Sequence, residues 1–177
     1  AKKADVEALS TAYSTALSLY ASNPVAGTTP VAQVASIDFS TYATDLTKAG
    51  DYLSVLVGNR KIRQEFDTDA ATTLNSFADK ISEVTAMQGT ANTTTGTITI
   101  TSLLPGIDIN ITNADENGAV YVPTINTAAI AGSGLAAVDT LKAALSVAVQ
   151  RAGAQFIDII NTIDLSREAT LNIGDIQ

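Results

Sequence analysis

Neither cysteine nor histidine occurs among the 177 residues of this chain, and tryptophan is absent as well. Without cysteine there is no disulfide framework and no thiolate nucleophile. Without histidine the usual general base near neutral pH is missing, and together the two absences remove the ordinary ligands of zinc and copper. A carboxylate or a lysine would have to carry any catalysis. No Ser-x-x-Lys, no phosphate-cradling glycine loop ending in lysine and no Gly-x-Ser-x-Gly elbow occurs; Gly132-Ser133-Gly134 lacks the spacing and reads as a flexible loop leading into a helix. Long apolar runs are missing too, since no segment approaches the roughly 20 residues that span a bilayer. Basic charge is scarce: 10 Lys and Arg stand against 18 Asp and Glu, a net charge of -8 that repels phosphates. The short cluster Arg60, Lys61 and Arg63 reads as a surface patch beside Glu65, Asp67 and Asp69. The expectation is therefore no catalytic residue, no cofactor and no nucleic-acid partner.

The composition that remains is 46% hydrophobic and 16% charged, which points to a folded chain of one domain over 1–177. Its clearest signal is an amphipathic helix over 3–22. Val6, Leu9, Tyr13, Leu17 and Tyr20 recur every three or four residues along one stripe, with Glu7, Ser10, Ser14 and Ser18 opposite. A helix of this length with one apolar face is expected to lie across a sheet. Between 36 and 89 the pattern is helical with loops. After a loop over 24–36, Asp38 is expected to cap a helix carrying Phe39, Tyr42 and Leu46 and ended by Gly50; Asp51 to Val57 fits a helical turn or a strand; Asp69 opens a helix with Leu74, Phe77 and Ile81 on one face that ends near Gly89.

From Thr90 the residues become β-branched and alternate. Ile98 and Ile100 alternate with threonine, Leu104-Pro105-Gly106-Ile107 signals a turn, Ile107, Ile109 and Ile111 alternate with polar residues, and Ala119 to Val122 follows the polar turn Asn113 to Gly118. These strands are expected to form an antiparallel meander over 95–123. A last helix is expected over 135–163, with Gly153 inside it, followed by a tail in which Leu171 and Ile173 alternate. The fold class is α+β: a long N-terminal helix packed on an antiparallel meander, with additional helices. One acidic, oxygen-rich turn, Asp115, Glu116 and Asn117 next to Asn113, has the ligand type for Ca²⁺ without the EF-hand register, and a solvated hairpin turn explains it equally well.

Two family resemblances bear on function. Lys2, Lys3, Asp5, Val6, Leu9, the run Ala16-Leu17-Ser18-Leu19-Tyr20, Asn23 and the loop with Pro24, Thr28, Thr29 and Pro30 resemble the soluble part of a type IV pilin or a type II secretion pseudopilin. The missing cysteines depart from the disulfide-closed C-terminal loop of many such pilins. Thr73 to Ile111, a helix followed by Gly96-Thr97-Ile98-Thr99-Ile100-Thr101-Ser102 and Gly106-Ile107-Asp108-Ile109-Asn110-Ile111, is similar to a short repeat motif of flagellins and hook-associated proteins. Arg151-Ala152-Gly153-Ala154-Gln155 and Asn161-Thr162-Ile163-Asp164-Leu165 resemble the flagellin C-terminal helix. Both resemblances imply a non-catalytic, self-assembling subunit of a bacterial surface filament whose partners are other subunits and whose place is extracellular. The pilin resemblance adds that Val6, Leu9, Tyr13, Leu17 and Tyr20 hold helix to sheet. It also places any inner-membrane anchor in an apolar segment upstream of residue 1. A secreted binding module or enzyme using the loops near Asn113 and Gly132 is the reading from a different class.

Overall fold

Among the described residues, period-two alternation in short β-branched runs, cut by glycine and asparagine, builds eight strands, and two longer helical runs flank them in the chain. The computed structural model describes residues 2–84 and 86–152. In chain order the elements are α1 (Lys2–Ser22), β1 (Val34–Asp38), α2 (Tyr42–Asp45), β2 (Tyr52–Val57), β3 (Arg60–Glu65), α3 (Ala70–Val84), β4 (Met87–Asn92), β5 (Thr97–Ser102), β6 (Ile111–Glu116), β7 (Ala119–Tyr121), β8 (Thr124–Thr127) and α4 (Gly134–Ala152). The fold is α+β, with antiparallel sheets. Where the sequence pointed to one domain, the chain divides into two units. One holds α1, α4 and the segments next to them; the other holds residues 32–103 and 107–128.

In the helical unit, α1 and α4 pack on each other. Val6, Leu9, Tyr13 and Leu17 are buried and Tyr20 is half-buried. On the facing helix Ala137, Val138, Leu141, Leu145, Ala148 and Val149 are buried. The pair is antiparallel: the chain leaving α1 meets the start of α4, and Asp5 feels the charge of Arg151 in the last turn of α4. Burial pushes the Asp5 carboxyl up, and the guanidinium opposes that shift. The helix face was therefore read correctly but its partner was not. The expectation that Val6, Leu9, Tyr13, Leu17 and Tyr20 hold the helix to a sheet is corrected, because the surface they fill belongs to α4.

The second unit is two four-stranded antiparallel sheets, ordered β4-β5-β1-β8 and β3-β2-β6-β7. Their core contains Ala35, Ile37, Ile98 and Ile100 from the first sheet and Leu53, Val55, Ile62 and Ala114 from the second. β3 and β4, each at an edge of its sheet, are joined through α3, which packs against both. Asp69 caps α3, accepting the Thr72 N–H at 2.7 Å, and Leu74, Phe77, Ala78 and Ile81 form its buried face. Contact with β4 is close at Gly89, where a Cβ would fall 2.4 Å from the Ala78 carbonyl oxygen. Phe77 meets Phe39 edge-on at 6.1 Å, and Phe39 meets Tyr121 at 5.1 Å.

Several expected elements are corrected here. β5 pairs with β4 and β1, while β6 pairs with β2 and β7, so the consecutive meander over 95–123 is reduced to the single hairpin β6–β7. The expected strand from Ile107 starts only at Ile111, because the Gln33 amide takes the backbone of Ile109. Gln33 Nε2 donates to Ile109 O at 2.9 Å and its Oε1 accepts the Ile109 N–H at 2.7 Å. The helix expected after Asp38 is one turn, α2, and the loop before it contains β1, whose buried Ala35 and Ile37 show a period of two. Gln88 to Asn92, read partly as helix, belongs to β4; the threonine-rich run turns at Asn92, whose Oδ1 accepts the N–H groups of Thr94 and Thr95. The helix expected over 135–163 is seen as α4 to Ala152, and its remainder, Gly153 and the tail with Leu171 and Ile173 lie outside the described residues.

The helix pair makes a direct test of the face assignment. A carboxylate at Leu17, 8% exposed, must lose its hydration or part the helices, whereas Ser18 is exposed. Leu17→Asp should cost about 2–4 kcal/mol in urea unfolding followed by helical circular dichroism, and Ser18→Asp less than about 0.5.

Candidate functional site

Two places carry more design than packing requires. The first is a neck in the helical unit, built from glycines more than a hundred residues apart in sequence. Residues 23–31 and 129–136 run antiparallel and are joined by backbone hydrogen bonds: Thr28 N–H to Ser133 O (3.1 Å), Ser133 N–H to Thr28 O (2.9 Å) and Val31 N–H to Ile130 O (2.9 Å). A third pass of chain joins them where the Gly106 N–H donates to Val31 O at 3.0 Å. The first turn of α4 finds its acceptors here. Leu135 and Ala136 donate their N–H groups to the carbonyls of Val25 and Ala26, both at 2.9 Å, so the opposite chain does the work of a capping side chain.

The neck has no room for a side chain at Gly27, Gly132 or Gly134. A Cβ on Gly27 would lie 2.0 Å from Ser133 O, on Gly132 2.4 Å from Thr28 O and on Gly134 2.3 Å from Val25 O; Gly27 and Gly134 also have φ of 71° and 60°. Gly132-Ser133-Gly134 is thus half of a closely fitted clasp rather than a flexible lead-in. Gly118 provides the contrast, with φ of 93° and open space around its Cβ position. Gly134→Ala should therefore lower unfolding stability by more than about 3 kcal/mol, and Gly118→Ala by only about 1–2, the backbone strain alone. Equilibrium denaturation of the two variants measures the difference.

The second place is the β6–β7 hairpin and what it touches. Asn117 and Gly118, with φ of 51° and 93°, form its two-residue loop, the left-handed pair that a type I′ turn demands. Asn113, at φ of 50°, is the extra residue of a bulge: Ser54 pairs with Asp115 and Leu56 with Thr112, so three steps on β6 match two on β2. Of the residues with candidate Ca²⁺ oxygens, Asp115 and Asn117 are engaged by the protein. Asp115 Oδ1 accepts the Gly118 N–H at 2.9 Å, Asn117 Oδ1 accepts the Tyr52 N–H at 2.7 Å, and Asn117 Nδ2 donates to Asp45 O at 2.8 Å. Among the described residues no three Asp or Glu side chains converge on one point. The turn is a structural staple, and the bulge leaves Asn113 and Asp115 lining a depression of about 220 Å³ with Leu56, Lys61, Ala114 and Val120.

Behind this hairpin lies a buried carboxylate, which the sequence places in the acidic turn but does not mark as buried. Glu116 is 1% exposed. Its Oε2 accepts the Tyr121 hydroxyl at 2.8 Å and the Thr41 hydroxyl at 3.2 Å, and Oε1 has no hydrogen-bond partner among the described residues. Burial pushes its carboxyl up, the two hydroxyls pull it back and Asp45 adds to the rise. Sealed from solvent, the group reaches no solute; its consequence is for stability. Because the folded carboxyl titrates above its ordinary value of 4.5, the stabilising neutral form is fully present below that pH and is lost as pH rises through the folded value. Glu116→Gln should keep the hydroxyl contacts and remove this loss. The melting temperature of the variant should gain on the parent progressively from pH 4.5 towards pH 7, as thermal melts across that range would record.

Among the described residues no helix is long and apolar enough to cross a membrane. No protein-family model and no curated protein matches the chain.

Proposed function

We propose that this chain is a non-catalytic structural subunit of a bacterial surface filament, working by self-assembly at the cell surface. The observation that carries this reading is the antiparallel pair of α1 and α4, with the whole sheet unit inserted between them in the chain. A helix pair buries only its mutual face. Residues 8–22 of α1 and 143–150 of α4 carry no charge, and their exposed Leu19 (64%) and Val147 (50%) suit further helix packing by neighbouring subunits. Pairing between α1 and α4 favours the flagellin or hook-associated branch of the reading over the pilin branch. The pilin branch requires the apolar face of α1 for a sheet, and α4 occupies that face. The other resemblance covers α3, β4 and β5 and makes no such demand on α1.

Partners in this reading are other subunits, and neither a cofactor nor nucleic acid takes part. Antibodies raised against the purified sheet-forming region, used with gold labelling in electron microscopy of the source bacterium, should decorate extracellular filaments along their length. Labelling confined to the cell body or to soluble secreted material would reject the proposal.

A further inference from the structure

The four strand edges of the sheet unit are treated differently. β4 is packed against α3, and β3 carries Arg60, Lys61, Arg63 and Glu65, charges that discourage pairing with another strand. β7 and β8 carry none. From Asn117 to Ala128 there is no charged residue, yet Val120 is 71% exposed, Val122 84% and Ile125 47%. β7 is only three residues long and β8 is bulged between Ile125 and Thr127, so neither edge offers a regular row of backbone groups for open-ended sheet growth. What they offer instead is apolar side chains.

The geometry points to a second copy of this chain as the occupant of that surface, in a two-fold contact that seats exposed valine side chains of each copy against the depression of the other. The depression is lined by apolar Leu56 and Ala114 with the exposed Val120 at its edge, and it carries one charge of each sign, Lys61 and Asp115. A two-fold contact that sets Lys61 of each copy opposite Asp115 of its mate makes the patch complementary to itself in charge. A partner of uniformly acidic or basic surface would meet one matching and one opposing charge. Two copies that each carry -8 repel elsewhere and approach best where the surface is uncharged.

Centred on one small depression, the contact falls well short of the roughly 800 Å² per partner of a stable complex. It is weak and short-lived between free molecules, so a covalent trap is the way to register it. The inference stands on this surface alone and does not require the filament reading.

The absence of cysteine makes the contact easy to trap. Val122→Cys should form disulfide-linked dimers under mild oxidation at least tenfold faster than Thr94→Cys or Asn75→Cys, both exposed and remote from the patch in sequence. Adding Lys61→Glu, an exposed change whose fold is checked by circular dichroism, should slow the Val122→Cys dimer several-fold while leaving both controls unchanged. Equal rates for Val122→Cys and the controls, or a Val122→Cys rate indifferent to Lys61→Glu, would overturn the proposal.

Discussion

Close approach of two backbones at Gly27, Ser133 and Gly134 is the constraint on which the helical unit depends. Helix pairing alone would leave the first N–H groups of α4 and the carbonyls after α1 without partners, at a cost of a few kcal/mol. The neck satisfies each end with the other. That solution works only if the chains come within hydrogen-bonding distance along several consecutive residues, and three glycines make room for it. α1 and α4 are thereby held in register before any side chain between them is considered.

In the sheet unit the corresponding problem is how to close two sheets without leaving edges open. α3 serves two of the edges at once because it connects β3 to β4 directly and is brought close to β4 by Gly89. Polar residues then fix what the hydrophobic core leaves undetermined. The Gln33 amide substitutes for a missing strand partner at Ile109, Asn117 ties the hairpin to Tyr52 and Asp45, and Glu116 joins Thr41 to Tyr121. These are buried or specific contacts with exact partners, so each favours one arrangement of the strands over neighbouring registers.

Some of this architecture was legible in the residues. The stripe on α1, the cap and buried face of α3, and the alternation of Ile98 and Ile100 follow from local periodicity and were read at their true positions. Partner identity was not legible. A stripe of Val6, Leu9, Tyr13 and Leu17 is equally satisfied by a sheet or a helix, because burial has no direction beyond the face it covers. Strand order failed for the same reason, since consecutive alternating segments look like a meander whether they share a sheet or cross between two. The two-residue loops Gly58-Asn59 and Asn117-Gly118 were available as hairpin signals. The neck was beyond reach, as nothing local marks Gly27 and Gly134 as neighbours, and Glu116 looked like any other acidic turn residue.

The antiparallel arrangement of α1 and α4 also has a mechanical side. The start of α1 and the end of α4 lie together at the end of the pair remote from the neck. Tension applied through those two ends loads the helix contact in peeling geometry, one turn at a time, and not in shear along its length. The last bonds to part are those of Thr28 with Ser133 and Val31 with Ile130, and until they do the inserted sheets carry none of the force.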